Sequence, residues 1–310
     1  MTYHKVTEGV GAKGSVVEFD DSWKQFARET AQNYFTRGKV TKQIQLSFKS
    51  QWEIYQSFLK KYGLTNGKSL EPGSGRGSIS LYFANAGYEA TLLDTSQEVL
   101  NVAQEIFEAN KLAANFVCGN ALQMPFATDT FDVIVHVGLL EHFVDYEKCL
   151  AEQIRVLKPG GLLLANIVPG KWSVQRLARP GIFLFRIIHK IWSHIFSRNQ
   201  VQKEKNPLYR TEHGSDVYIS VLKKMGCVDI FSSGMFPVPV FSYSPEFPFS
   251  PNHPVVERTL VFFMRLFLGI RKFIWPHRHP WLCSEWWGQH VLVVARKSGE
   301  AHEEDLVNLS

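Results

Sequence analysis

Apolar and polar positions along this chain change their period twice. Up to about residue 62 the aromatic and aliphatic residues recur three or four apart, as in Ser22-Trp-Lys-Gln-Phe-Ala and again from Phe48 to Tyr62, which predicts helices. From residue 63 to 170 short apolar runs alternate with helix-period segments. Strands are predicted at Ser69 to Glu71, Ala90 to Leu93, Asn115 to Cys118, Phe131 to Val135 and Leu162 to Val168. Helices are predicted near Gly77 to Ala86, Gln97 to Ala109 and Tyr146 to Leu157. That alternation implies right-handed crossovers and a parallel sheet covered on both faces, with ligands beyond the carboxyl ends of the strands.

After Val168 the alternation breaks. A helix over Thr211 to Met225, a strand near Cys227 to Ser232 and a last strand over Gln289 to Ala295 are interrupted by two insertions, 171–206 and 236–285. In the first, Leu184, Ile187, Ile188, Ile191 and Ile195 share one helical face and Arg186, Lys190 and Ser193 another. The second opens with a proline- and aromatic-rich run and continues as a long apolar stretch from Pro254. Glu257, Arg258 and Arg265 interrupt that stretch, which argues against a membrane span. The two insertions suit either an apolar roof over a site or contact with a membrane surface. The predicted organisation is a helical cap at 1–62, a main domain at 63–298 carrying the inserted lid 171–206 and the apolar insertion 236–285, and an acidic tail at 299–310.

Composition adds constraints. With 310 residues, 45% hydrophobic and 20% charged, the chain can bury a large core. The net charge of +5 is unevenly spread, since 171–203 holds seven Lys or Arg and no acid. Such a patch suits an anionic partner. The apolar residues between its charges, and the lack of a base-flipping signature, argue against nucleic acid. Four cysteines without paired spacing, and a start without an apolar signal core, point to a reducing cytosol, with contact at the inner face of a membrane as the alternative. No metal site is expected, because His277, His279 and Cys283 lack a matching second pair.

The chemistry concentrates in Leu70-Glu-Pro-Gly-Ser-Gly-Arg-Gly77 and the apolar run that closes on Asp94. Gly73 and Gly75 permit a tight turn against which a ligand can lie, and an acid at the tip of the second strand can accept from two ribose hydroxyls. A dinucleotide fingerprint needs glycine at position 78, where this chain has Ser78. The leading Glu71 repels a diphosphate and attracts an ammonium group. On these residues the chain resembles the class I S-adenosylmethionine-dependent methyltransferases, in the group acting on small molecules and lipids. Gly119-Asn-Ala-Leu122, Phe131-Asp-Val-Ile-Val135 and Leu157-Lys-Pro-Gly-Gly161 extend the resemblance over roughly residues 65 to 170. It departs at Asn120, where the family usually carries Asp.

The resemblance implies an α/β fold, a Rossmann-like doubly wound seven-stranded sheet with an N-terminal helical cap and helical insertions. It implies S-adenosylmethionine as cofactor, with Gly73, Ser74 and Gly75 under the methionine portion, Glu71 towards its amino end and Asp94 on the ribose. Thr95, Asn120, Ala121 and Leu122 would line the adenosine slot, and His136, placed at the end of its strand, would border the sulfonium. Past that strand, His136-Val-Gly-Leu-Leu-Glu-His-Phe143 offers His142 or Glu141 as a base, while a role in shaping the site stays open. Tyr34, Tyr209 and His213 are candidate substrate contacts; core packing for Tyr34 and helix capping by Thr211 are the structural alternatives. The implied reaction is in-line methyl transfer to an oxygen, nitrogen or carbon of a hydrophobic or partly hydrophobic small molecule, lipid-like molecules included. Alternatives are a lipid-modifying enzyme similar to the cyclopropane fatty-acid synthases and, less well supported, an NAD-dependent oxidoreductase.

Overall fold

A computed structural model describes residues 34–181, 183, 210–241 and 253–299. Tyr209, the amphipathic helix expected in the first insertion, most of the basic run, the start of the N-terminal cap and nearly all of the acidic tail lie outside the described residues. Five parallel strands form the first part of the sheet: β1 (Lys68–Pro72), β2 (Glu89–Asp94), β3 (Asn115–Cys118), β4 (Phe131–Val137) and β5 (Leu157–Ile167). Three antiparallel strands complete it: β6 (Cys227–Met235), β7 (Leu282–Cys283) and β8 (His290–Lys297). Their order is β3-β2-β1-β4-β5-β8-β6-β7. The seven expected strands are all present, and the two-residue β7 adds an eighth at the edge.

Helices cover both faces, because successive residues of each central strand point to opposite sides. Val133 and Val135 of β4, with Leu162 and Leu164 of β5, face a core shared with α1 (Gln43–Lys61), α2 (Ser80–Asn85) and α3 (Gln97–Ala109). Ile134 and Leu163 face the opposite core, filled from α4 (Tyr146–Val156) and α6 (Ser215–Lys224). A single turn, α5 (Val174–Leu177), follows β5, and α7 (Pro254–Ile274) packs on α1.

Several boundaries differ from the sequence expectation, β5 starting at Leu157 rather than Leu162 and α6 at Ser215 rather than Thr211 among them, and two others have a plain physical reason. α2 begins at Ser80, three residues after Gly77, whose φ of +64° cannot continue a right-handed helix. α1 begins at Gln43, five residues before Phe48, because the buried carboxylate of Glu257 in α7 accepts from the Gln43 backbone N–H at 2.9 Å. That bond satisfies one of the orphan donors of the first turn from 214 residues away.

Candidate functional site

The crevice lies beyond the carboxyl ends of β1, β2 and β4, and the glycine loop forms its floor. Gly73 has φ of +62°, and a Cβ there would stand 2.5 Å from Leu139 Cδ1, so the loop and the turn after β4 touch without room for a side chain. Ser74 N–H donates to Leu93 O at 3.1 Å, tying the loop to β2. At the tip of β2 the Asp94 carboxylate accepts from Gly75 N–H at 2.9 Å through Oδ2 and from Ser96 N–H at 3.1 Å through Oδ1. Ser96 in turn caps α3 by accepting from Val99 N–H.

Glu71 sits behind the loop, buried, and its Oε2 accepts from both the backbone N–H and the hydroxyl of Ser80 at the start of α2. Burial pushes its carboxyl up to about 8, the two Ser80 bonds oppose that rise, and the Asp94 charge adds to it. The sign for stability follows. A carboxyl whose pKa is higher folded than unfolded costs stability as pH rises from the unfolded value towards the folded one. Melting of the ligand-free protein should therefore fall between about pH 5 and pH 8, and Glu71→Gln should flatten that decline by several degrees in a calorimetric scan.

The remaining candidates are placed unevenly. Tyr34 is buried, 5.4 Å from the ring of Phe48, and burial raises its hydroxyl to about 12 while the charge of Arg76 opposes the rise. Arg76, in the same loop, is 4% exposed. Asn120 Oδ1 accepts from Leu122 N–H at 2.9 Å, so the two groups expected to meet adenine meet each other, and an adenine contact through Asn120 would use its second lone pair. Ala121 is buried beside them, and Thr95 is exposed, its carbonyl accepting from the Cys118 thiol.

His136 stands one residue before the end of β4 rather than at it, wholly buried, opposite Ala165 of β5. Its ring nitrogens have no hydrogen-bond partner among the described residues, and burial lowers it to about 3, so it is a neutral imidazole at physiological pH. Glu141 and His142 follow in a single 3-10 turn. Glu141 is buried, and His142 Nε2 lies 3.9 Å from its Oε1, too far for a hydrogen bond. The carbonyl of Glu141 accepts from Thr211 N–H, which brings the end of the first insertion to this turn. His213 is exposed there, its ring 5.6 Å from that of Tyr146. Thr211 does not cap α6; its hydroxyl pairs with that of Tyr218.

A second polar group at this end of the sheet escaped the sequence reading. His290 Nδ1 and Asn166 Oδ1 are 3.1 Å apart across β8 and β5, and Gln51 Nε2 donates to the Tyr55 hydroxyl on α1. Burial, aided by the Arg210 charge, lowers His290 to about 3, and burial raises Tyr55. Asn166 is the single polar residue in the run Leu162 to Ile167, which was the available signal.

The residues fit a cationic nucleoside. Gly73 and Gly75 carry no side chain, Ser74 Oγ is buried without a hydrogen-bond partner among the described residues, the Asp94 carboxylate stands at the tip of β2, and the buried carboxyl of Glu71 stands behind the floor. Residues 70–165 match the family model described as a methyltransferase domain. The ubiquinone/menaquinone biosynthesis C-methyltransferase UbiE of Bartonella quintana (strain Toulouse) is 29% identical over 206 residues, covering 57% of this chain and 78% of that protein. The demethylmenaquinone methyltransferase of Thermus thermophilus is 34% identical over 102 residues, covering 32% of this chain and 46% of that protein. Among solved structures, a candidate sarcosine dimethylglycine methyltransferase from Galdieria sulphuraria matches with a TM-score of 0.54 at 18% identity, covering 91% of this chain and all of that one.

Proposed function

The chain is a class I S-adenosylmethionine-dependent methyltransferase, and we propose that its acceptor is a hydrophobic small molecule of the kind made in quinone biosynthesis, methylated at carbon. The observation that carries the donor side of this reading is the Asp94 carboxylate at the tip of β2, which bridges the glycine loop and the start of α3. The acceptor class rests on the relatives named for C-methylation in that pathway. S-adenosylmethionine, when bound, supplies a methyl carbon already activated by a sulfonium, so the protein contributes position, exclusion of water and a proton acceptor.

Glu71, Gly73, Ser74, Gly75 and Asp94 hold the donor, and Thr95 with Asn120, Ala121 and Leu122 border the adenosine end. His136, neutral and buried, lies behind the reacting centre without competing for it by charge. A phenolic ring carbon gains nucleophilicity when the neighbouring hydroxyl gives up its proton. In this reading His142, partly exposed in the turn after β4, takes that proton, with Glu141 beside it. His213, Tyr34 and, by its position in sequence, Tyr209 complete the acceptor side.

The test is incubation of the full chain with methyl-labelled S-adenosylmethionine and separated lipid and aqueous cell extracts, with demethylmenaquinol as a defined acceptor. Label should enter the lipid phase on a ring carbon, and His142→Gln should lower kcat by about 100-fold while leaving donor affinity unchanged. Label confined to aqueous products would refute the hydrophobic acceptor. An undiminished kcat in the variant would remove His142 as the base.

A further inference from the structure

The outer helix α7 carries three separate stripes. Glu257, Val261, Met264 and Leu268 are buried against the body of the protein. On the opposite side stand Phe262, Phe263, Leu266, Ile270, Phe273 and Ile274, each more than half exposed and Phe273 86% exposed. Along one flank, seven residues apart, run Arg258, Arg265 and Lys272, all exposed, and none is in an ion pair among the described residues. Half-exposed Trp275 follows the last turn. A contiguous apolar face of this size on a folded protein marks a place of contact.

We infer that α7 is an interfacial helix that docks the enzyme on an anionic lipid surface, its apolar face in the acyl boundary and its cation row at the headgroups. Its 21 residues give it a length of about 30 Å, but the cations within it forbid crossing, and among the described residues no helix is long and apolar enough to span a membrane. Lying in the interface plane satisfies both stripes at once. A second copy of the chain fits less well, because antiparallel pairing of two such helices about a two-fold axis sets each cation row against its own mate. The proposal does not depend on the acceptor's identity.

The experiment is co-sedimentation of the full chain with phosphatidylcholine vesicles, with and without phosphatidylglycerol, at low and physiological salt. Binding should require the anionic lipid and weaken with salt. Phe262→Ser, Leu266→Ser and Phe273→Ser together should lower vesicle affinity at least about tenfold, and Arg258→Ala, Arg265→Ala and Lys272→Ala together by about 100-fold at low salt. Because all six side chains are exposed, both variants should bind S-adenosylhomocysteine as the parent does, which confirms that they fold. Failure of the parent to sediment, or sedimentation unchanged in both variants, would overturn the proposal. So would a solution dimer that the serine variant dissolves in a protein indifferent to vesicles, since the face would then belong to a second copy.

Discussion

Asp94→Ala should weaken binding of S-adenosylhomocysteine by about 100-fold or more, measured by titration calorimetry. The carboxylate is expected to take two ribose hydroxyls, and a hydrogen bond to an ionised group contributes about 1.5–3 kcal/mol. The same oxygens hold the N–H groups of Gly75 and Ser96, so truncation also frees two donors that shape the floor of the crevice. Asp94→Asn separates these effects. It keeps one acceptor oxygen and loses the charge, and should fall between the parent and the alanine variant. Affinity unchanged in both would show that the ribose lies elsewhere. The folded state of each variant can be checked by its melting profile.

Gly77→Ala should destabilise the protein strongly, because it combines a left-handed backbone with a core clash. The residue has φ of +64°, and an added Cβ would stand 2.3 Å from Leu92 Cδ2 and 3.1 Å from Phe107 Cε2, both in the core. Left-handed backbone costs a non-glycine residue about 1–2 kcal/mol, and overpacking a core adds about 1–3 kcal/mol. Tm should drop by roughly 5–15 °C. Gly63→Ala is the control, because its φ of +70° is similar and nothing lies within 4 Å of its Cβ position. The difference between the two variants is the steric part. Equal melting temperatures would mean that α2 moves freely against β2, and the glycine would then have no packing role.

Features set by neighbours in sequence were legible. The glycine loop and Asp94 are joined by one strand-helix-strand unit, and α3 and β3 fall where their periodicity and caps place them, at Gln97–Ala109 and Asn115–Cys118. What distant residues decide was not legible. The start of α1 depends on Glu257, and the Asn166–His290 pair joins positions 124 apart. The pairing of Asn120 with Leu122 is a different case. It spans two residues, and an Asn accepting from the backbone two places on is a common local turn, so the expectation of an adenine contact passed over a nearer partner.

The Gln43–Glu257 clamp makes the outer helix part of the machine's frame. Glu257 grips the first turn of α1 by backbone and side chain, and Gln43 also holds both the N–H and the carbonyl of Phe241. Two and three turns further along the same rod stand Gln51 and Tyr55, buried, where Tyr55 feels the charge of Glu71 behind the glycine loop. The rod is a rigid strut between the outside of the molecule and its reaction chamber. A load on the outer helix therefore reaches the chamber wall without passing through any loop.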